Sequence, residues 1–181
     1  MKNAAVLVFD GVEELEAAAP IDLLRRAGAN TSVVSVSGGR EIAGRSRIKI
    51  VCDAVLGEVK DKNFDAVVLA GGPGTNSVAE NPEAVEFIKR HFERGALVAA
   101  ICAAPVVLKK AGALEGKKCT AHFSRAAELE NCDETAAVVA DGNVITSRGA
   151  GTAVEFGLKI VEYLFSEKVA KDVAYSICFM R

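Results

Sequence analysis

Cys102 lies in Ala99-Ala-Ile-Cys-Ala-Ala-Pro105, between a buried apolar run and the start of a helical pattern. A side chain on such a strand-to-helix turn is held away from the sheet, like the serine of a nucleophile elbow. The helix that follows aims its N-terminal amides and positive dipole end at the sulfur, which predicts a lowered thiol pKa. A thiol at pKa ~8.5 is about 3% ionised at pH 7, and a fall of ~3 units makes it almost wholly thiolate, worth about 4 kcal/mol. A carboxyl group could act beside it. Glu13, Glu14 and Glu16 follow the first apolar run, and one of them can point inward while the others serve the helix dipole. The sequence does not choose between them, and all three fit equally well as solvated dipole partners. Gly71-Gly72 follows another apolar run. The Gly72 amide, paired with that of Ala103, can form a two-donor oxyanion hole, or the glycines can be a plain turn. His122, in Thr120-Ala-His-Phe123, is a candidate base or proton shuttle. His91, beside Lys89 and Arg90, is expected on a solvated helix face. Cys52, Cys119, Cys132 and Cys178 lack the setting of Cys102 and are expected to be inert.

These groups need a scaffold that gathers them. Ala4–Phe9, Thr31–Val36, Ala66–Ala70 and Ala96–Ile101 read as strands, three of them continuous apolar runs suited to a sheet buried on both faces. Arg45–Val51 alternates charged and apolar residues and predicts a half-exposed strand. Shorter strands are expected at 118–121, 136–140 and 143–146, with Asp141-Gly142 turning a hairpin. Helices are expected from Glu13 to Ala27, kinked or divided at Pro20 and closed by Gly28. Another starts at Asn81-Pro82-Glu83 and buries Val85, Ile88 and Phe92. Others cover 104–108, 125–130 capped by Ser124, and Thr152–Phe165 with Val154, Leu158, Val161 and Leu164 inward. Strands alternating with helices predict one mostly parallel α/β domain over residues 1–181. In such sheets ligands bind beyond the carboxyl ends of the strands, where the Glu13/Glu14/Glu16 group, Gly71-Gly72 and Cys102 would converge.

Composition narrows the chemistry. The chain has 181 residues, half of them apolar, a size that supports one core without disulfides or metal. Lys and Arg total 22 against 24 Asp and Glu, a net charge of -2, which argues against nucleic acid or an anionic membrane surface as partner. Five cysteines without a C-x-x-C pair, and two histidines, argue against a zinc site and a secreted disulfide framework. Gly71-Gly72-Pro73-Gly74 is neither a phosphate loop nor a dinucleotide fingerprint, so no cofactor is expected. Free thiols and the lack of a signal peptide or spanning segment predict a cytoplasmic protein.

The segments Gly11-Val-Glu-Glu-Leu-Glu16, Arg25-Arg-Ala-Gly28, Ser46-Arg47, Leu69-Ala-Gly-Gly72, Ala99-Ala-Ile-Cys-Ala103, Thr120-Ala-His122 and Thr146-Ser-Arg-Gly-Ala-Gly-Thr152 together resemble the ThiJ/PfpI superfamily. Within it they resemble the branch of the Parkinson's-disease-associated protein deglycase and its bacterial relatives. The resemblance runs in order from residue 1 to about 170. It implies a flavodoxin-like sandwich, akin to class I glutamine amidotransferases, with a reactive cysteine at Cys102, a glutamate at Glu16 and a histidine at His122. It also implies a glutathione-independent glyoxalase, or a deglycase acting on methylglyoxal adducts of proteins. An oxidative-stress sensor or chaperone working through a Cys102 sulfinate is the alternative. An amidase or thiamine-pathway hydrolase is a third class that no residue here favours. The implied partner is a second copy of the chain, contacted around Leu15, Arg26 and Arg148. Ala103 stands where the peptidase branch has histidine, which weakens a protease reading. Ala70 and Ala104 replace residues common in relatives, proline and glycine, and bear on pocket shape.

Overall fold

The computed structural model describes residues 1–179; residues 180 and 181 of the expected 1–181 domain lie outside the described residues. The first apolar run becomes β1 (Asn3–Val8), buried from Ala4 onward. α1 (Glu14–Arg26) and β2 (Asn30–Ser35) follow, then a hairpin of β3 (Glu41–Ala43) and β4 (Lys49–Val51). β5 (Ala54–Val55) and the single turn α2 (Leu56–Val59) lead to β6 (Ala66–Leu69), α3 (Thr75–Glu80) and α4 (Pro82–Glu93). β7 (Leu97–Ile101), α5 (Pro105–Lys110) and α6 (Phe123–Ala126) come next. The chain then forms β8 (Val138–Asp141), β9 (Val144–Ser147), α7 (Ala153–Leu164) and α8 (Glu167–Ser176).

Seven strands form one sheet in the order β5-β2-β1-β6-β7-β9-β8. Within this sheet β8 and β9 pair antiparallel and the other pairs are parallel, and the β8–β9 hairpin turns at Gly142 with φ +61°. α1 packs on α7 and α7 on α8, while α4 packs on α3 and α5. This is the flavodoxin-like α/β sandwich that the strand–helix alternation implies. The chain winds outward from β1 to β2, then returns to place β6 on the other side of β1. The carboxyl ends of β1 and β6 thus flank the switch point, where a crevice opens in such sheets.

Several expectations need correction. Pro20 lies inside α1 but does not divide it, and its ring is buried. Gly28 does close the helix, with φ +86° and its N–H on Arg25 O at 3.1 Å. The strand expected at 45–51 is a turn followed by β4. Arg47 takes φ +67° and its N–H bonds Gly44 O, so the charge alternation there marks an exposed turn. The strand expected at 118–121 is reduced to one bridge between Cys119 and Cys132. The helix expected at 125–130 starts earlier and is shorter, with His122 rather than Ser124 as its N-cap.

Asn81 caps α4 as expected, accepting N–H bonds from Glu83 and Ala84. Its buried face, however, is Ala84, Phe87, Ile88 and His91, an i, i+3, i+4, i+7 stripe. Val85 and Phe92 are only half-buried. His91 is therefore not a solvated residue. Its Nδ1–H donates to Phe87 O at 2.7 Å, its Nε2 accepts Phe64 N–H at 3.1 Å, and burial pushes its pKa down. On α7, Val161 and Leu164 point inward as expected, joined by Phe156, Gly157 and Ile160 in place of Val154 and Leu158.

Candidate functional site

Cys102 stands immediately after β7 with φ +66°, a left-handed conformation that a non-glycine residue holds only under constraint. The constraint is visible on both sides. Cys102 N–H donates to Ser147 O at 2.9 Å, and Cys102 O accepts His122 N–H at 2.8 Å. Ser147 is held in turn, because its hydroxyl reaches Ala137 O and Thr152 Oγ1. The Thr146–Thr152 block thus acts as the clamp behind the elbow, a role that spacing alone did not indicate.

The three acids after β1 divide cleanly. Glu13 caps α1, accepting Glu16 N–H at 2.9 Å. Glu14 is buried and accepts Ser46 N–H at 2.8 Å, which ties α1 to the β3–β4 turn. Glu16 is 1% exposed and faces Cys102. Its Oε2 accepts Gly71 N–H at 2.9 Å. A Cβ on Gly71 would lie 2.8 Å from Glu16 Oε2, 2.8 Å from Cys102 Cβ and 2.7 Å from Ile101 O. Only glycine lets β6, β7 and the carboxyl approach so closely. Gly72 has φ +127°, and a Cβ there would meet Gly11 O at 2.4 Å. The sequence pointed to Gly72 as a donor. The structure adds Gly71, whose amide already holds Glu16.

Burial pushes the Glu16 carboxyl up to about 7, against the pull of the Cys102 thiol and the Gly71 amide. Burial also pushes the Cys102 thiol up to about 12, reinforced by the Glu16 carboxylate and opposed by the Ala103 N–H. The expected fall in the thiol pKa is corrected. α5 is only 6 residues long and begins three residues after the cysteine, so its dipole does not offset burial and a neighbouring carboxylate. The two groups titrate as a pair, losing one proton near neutrality and holding the second far above it.

His122 Nδ1 lies 2.8 Å from Ser124 Oγ and 3.3 Å from Ser124 N, which donates to it. That amide leaves the ring proton on Nε2. A hydroxyl, not a carboxylate, therefore orients this histidine. The ring also stacks on Phe123 at 4.1 Å between centroids. A Cβ on Gly149 would lie 3.7 Å from His122 Cδ2 and 3.9 Å from Glu16 Oε1, so both side chains border the same space. Oε1 is buried and has no hydrogen-bond partner among the described residues. Among the described residues neither the Gly72 nor the Ala103 amide donates to a backbone oxygen, and the Ala103 N–H faces the Cys102 sulfur.

Cys102, Glu16, His122, Gly72 and Ala103 are thus gathered at the carboxyl edge of β1, β6 and β7. Leu15, Arg26 and Arg148 are not. Leu15 is 63% exposed near the start of α1. Arg26 is eleven residues further along, roughly 16 Å down the helix, and pairs with Asp22 at 2.7 Å. Arg148 donates to Thr135 O at 3.3 Å. A groove of about 720 Å³ lies elsewhere, between β8, α7 and α8. Among the described residues no three His, Cys, Asp or Glu side chains are grouped to hold a metal ion. None of the described helices is long and apolar enough to cross a membrane.

The DJ-1/PfpI family profile matches residues 2–163. The chain is similar to protein dj-1beta of Drosophila melanogaster, 41% identical over 96% of this chain and 95% of that one. The crystal structure of that fly protein superposes with a TM-score of 0.96 over 99% of both chains, at 38% identity. The chain is 33% identical to the glutathione-independent glyoxalase DJR-1.2 of Caenorhabditis elegans, covering 99% of this chain and 98% of that protein. It is also similar to an oxidized Toxoplasma gondii DJ-1 structure, with a TM-score of 0.96, 29% identity and full coverage of both chains.

Proposed function

The chain belongs to the DJ-1/PfpI family, and from that premise we propose that it is a cysteine-dependent glyoxalase and deglycase acting on methylglyoxal and its protein adducts. The observation that carries this reading is the thiol of Cys102, held at φ +66° against a buried carboxyl whose pKa lies near 7. A general base is most effective when its pKa is close to the working pH. Glu16 takes the thiol proton as sulfur adds to the aldehyde carbon, giving a hemithioacetal. The Gly72 and Ala103 amides hold the developing oxyanion. Glu16 and His122 then move a proton from the former aldehyde carbon to the neighbouring carbonyl carbon, leaving a thioester. Water hydrolyses it to lactate and restores the thiol. On a glycated thiol or amine, the same attack takes over the methylglyoxal carbon and frees the protein group. The worm relative, named as a glutathione-independent glyoxalase, supports an aldehyde as substrate.

The deciding experiment follows methylglyoxal loss and chiral lactate formation without glutathione. Wild type should turn over, and Cys102→Ala should fall to background. Full turnover by the alanine variant would sink the enzyme reading.

A second reading is favoured by the oxidized state of the Toxoplasma relative. Peroxide would carry the Cys102 sulfur to sulfinate, and a protonated Glu16 would donate to it and halt oxidation there. Intact-mass analysis after mild peroxide should show two added oxygens that disappear in Glu16→Leu. Oxygens spread over all five cysteines would count against it.

The enzyme would work as a homodimer, with the exposed start of α1 and the neighbouring β3–β4 hairpin at the contact.

A further inference from the structure

Cys119 and Cys132 meet at one point, an isolated parallel bridge. Cys119 N–H donates to Asn131 O at 3.2 Å, and Asp133 N–H donates to Cys119 O at 2.8 Å, so Cys119 lies opposite Cys132. Neighbouring strands lie about 4.8 Å apart, within the roughly 4.4–6.8 Å between Cα atoms that a disulfide accepts. The two thiols act on each other electrostatically, and Cys119 Sγ donates to Glu130 O at 3.5 Å. Cys119 is fully buried, whereas Cys132 is half-exposed. Neither takes part in the site around Cys102.

We propose that Cys119 and Cys132 form a second redox site, a dithiol that closes to an intramolecular disulfide by exchange with a low-molecular-weight disulfide such as glutathione disulfide. The accessible Cys132 is the attacking group. The neighbouring Cys119 thiol and the Ala121 N–H both favour its thiolate. The Cys132 thiolate attacks one sulfur of the small disulfide, forms a mixed disulfide and expels one thiolate. Cys119, losing its proton to water, then attacks the Cys132 sulfur and expels the second thiol. Two protein thiols are oxidised to one disulfide, and one small disulfide is reduced to two thiols. Burial raises both protein thiols, Cys119 to about 12, so exchange is slow at neutral pH and accelerates as pH rises.

The closed loop contains His122 and α6. Cys119 leads to His122 through Thr120, whose N–H is held by Thr146 Oγ1 at 2.9 Å. Oxidation therefore ties both ends of the segment that carries His122 and leaves the Cys102 thiol free.

The test incubates the full chain with glutathione disulfide over a range of pH, alkylates the remaining thiols and maps the peptides. The expected product joins the Cys119 and Cys132 peptides with the loss of two hydrogens, forming roughly tenfold faster per pH unit below the thiol pKa. Exposed Cys178 serves as the internal control, since its glutathionylation shows that the reagent is active. Cys132→Ser should abolish the product, and Cys119→Ser should trap Cys132 as the mixed disulfide. Stable glutathionylation of Cys132 in wild type with Cys119 alkylated, a Cys102–Cys132 link, or both thiols unreacted while Cys178 reacts would each overturn the proposal. Because the decisive readout uses wild-type protein, misfolding of a variant does not blur it.

Discussion

Replacing Glu16 by glutamine keeps its shape and removes its charge, which separates two consequences of one carboxyl. The first is catalytic. The singly protonated Cys102–Glu16 pair is the reactive form, so kcat/KM should rise with pH through about 7. Glu16→Gln should lose roughly 10²–10⁴-fold and that pH limb with it. The second consequence is energetic. The folded pKa of Glu16 lies above its unfolded value of 4.5. Its contribution to stability is fully present below about 4.5 and is lost as pH rises through about 7. Glutamine stays neutral throughout, so the variant should gain on wild type by about 3 kcal/mol above neutrality and little near pH 4. Urea unfolding at both ends of that range measures the difference, and an equal gap at both would contradict buried ionisation. His91 adds the opposite sign. Its depressed pKa means stability present above about 6.5 and lost on acidification, so the comparison must be made against wild type at each pH.

At the scale of elements, α1 and α7 meet where both carry unusual residues. Gly157 faces Leu23 and Pro20, and a Cβ there would lie 2.6 Å from Leu23 Cδ1 and 3.3 Å from Pro20 Cα. Helix propensity alone makes Gly→Ala favourable by roughly 0.5–1 kcal/mol. Overpacking a fixed core costs about 1–3 kcal/mol. Leu23 is itself buried, so the clash should win and Gly157→Ala should destabilise. Unchanged or higher Tm in the alanine variant would show that α1 yields to α7. α1 carries Glu16, so a shift there should also be felt as lost activity.

Across the whole molecule, Leu15, Ile48 and Val51 are 63%, 57% and 75% exposed. They stand on α1 and the β3–β4 hairpin, which the Glu14–Ser46 bond ties together. Exposed apolar side chains grouped on one flank mark an interaction surface. A two-fold dimer across it is self-complementary, so one substitution acts twice. Light scattering should report a dimer for wild type and a monomer for Leu15→Glu. A wild-type monomer at high micromolar concentration would refute the homodimer.

The features legible in the chain alone were local. The apolar runs became strands, Asn81 and Gly28 became caps, and Cys102 took its elbow because a buried strand ran straight into a turn before Pro105. These features depend on neighbours within a few residues, so pattern and propensity reach them. The orientation of the three acids did not follow. Glu13, Glu14 and Glu16 suit a helix start equally well, and only the docking of α1 against β6 turned Glu16 inward. The face of α4 was displaced because Phe87 and His91 found partners on Phe64. The ionisation of Cys102 departs from the sequence expectation for the same reason. A helix end can be read from the chain, whereas desolvation and a carboxylate 86 positions away arise only when the sheet brings them together. The Cys119–Cys132 bridge belongs to that second group, since a thiol finds its partner through the fold and not through spacing.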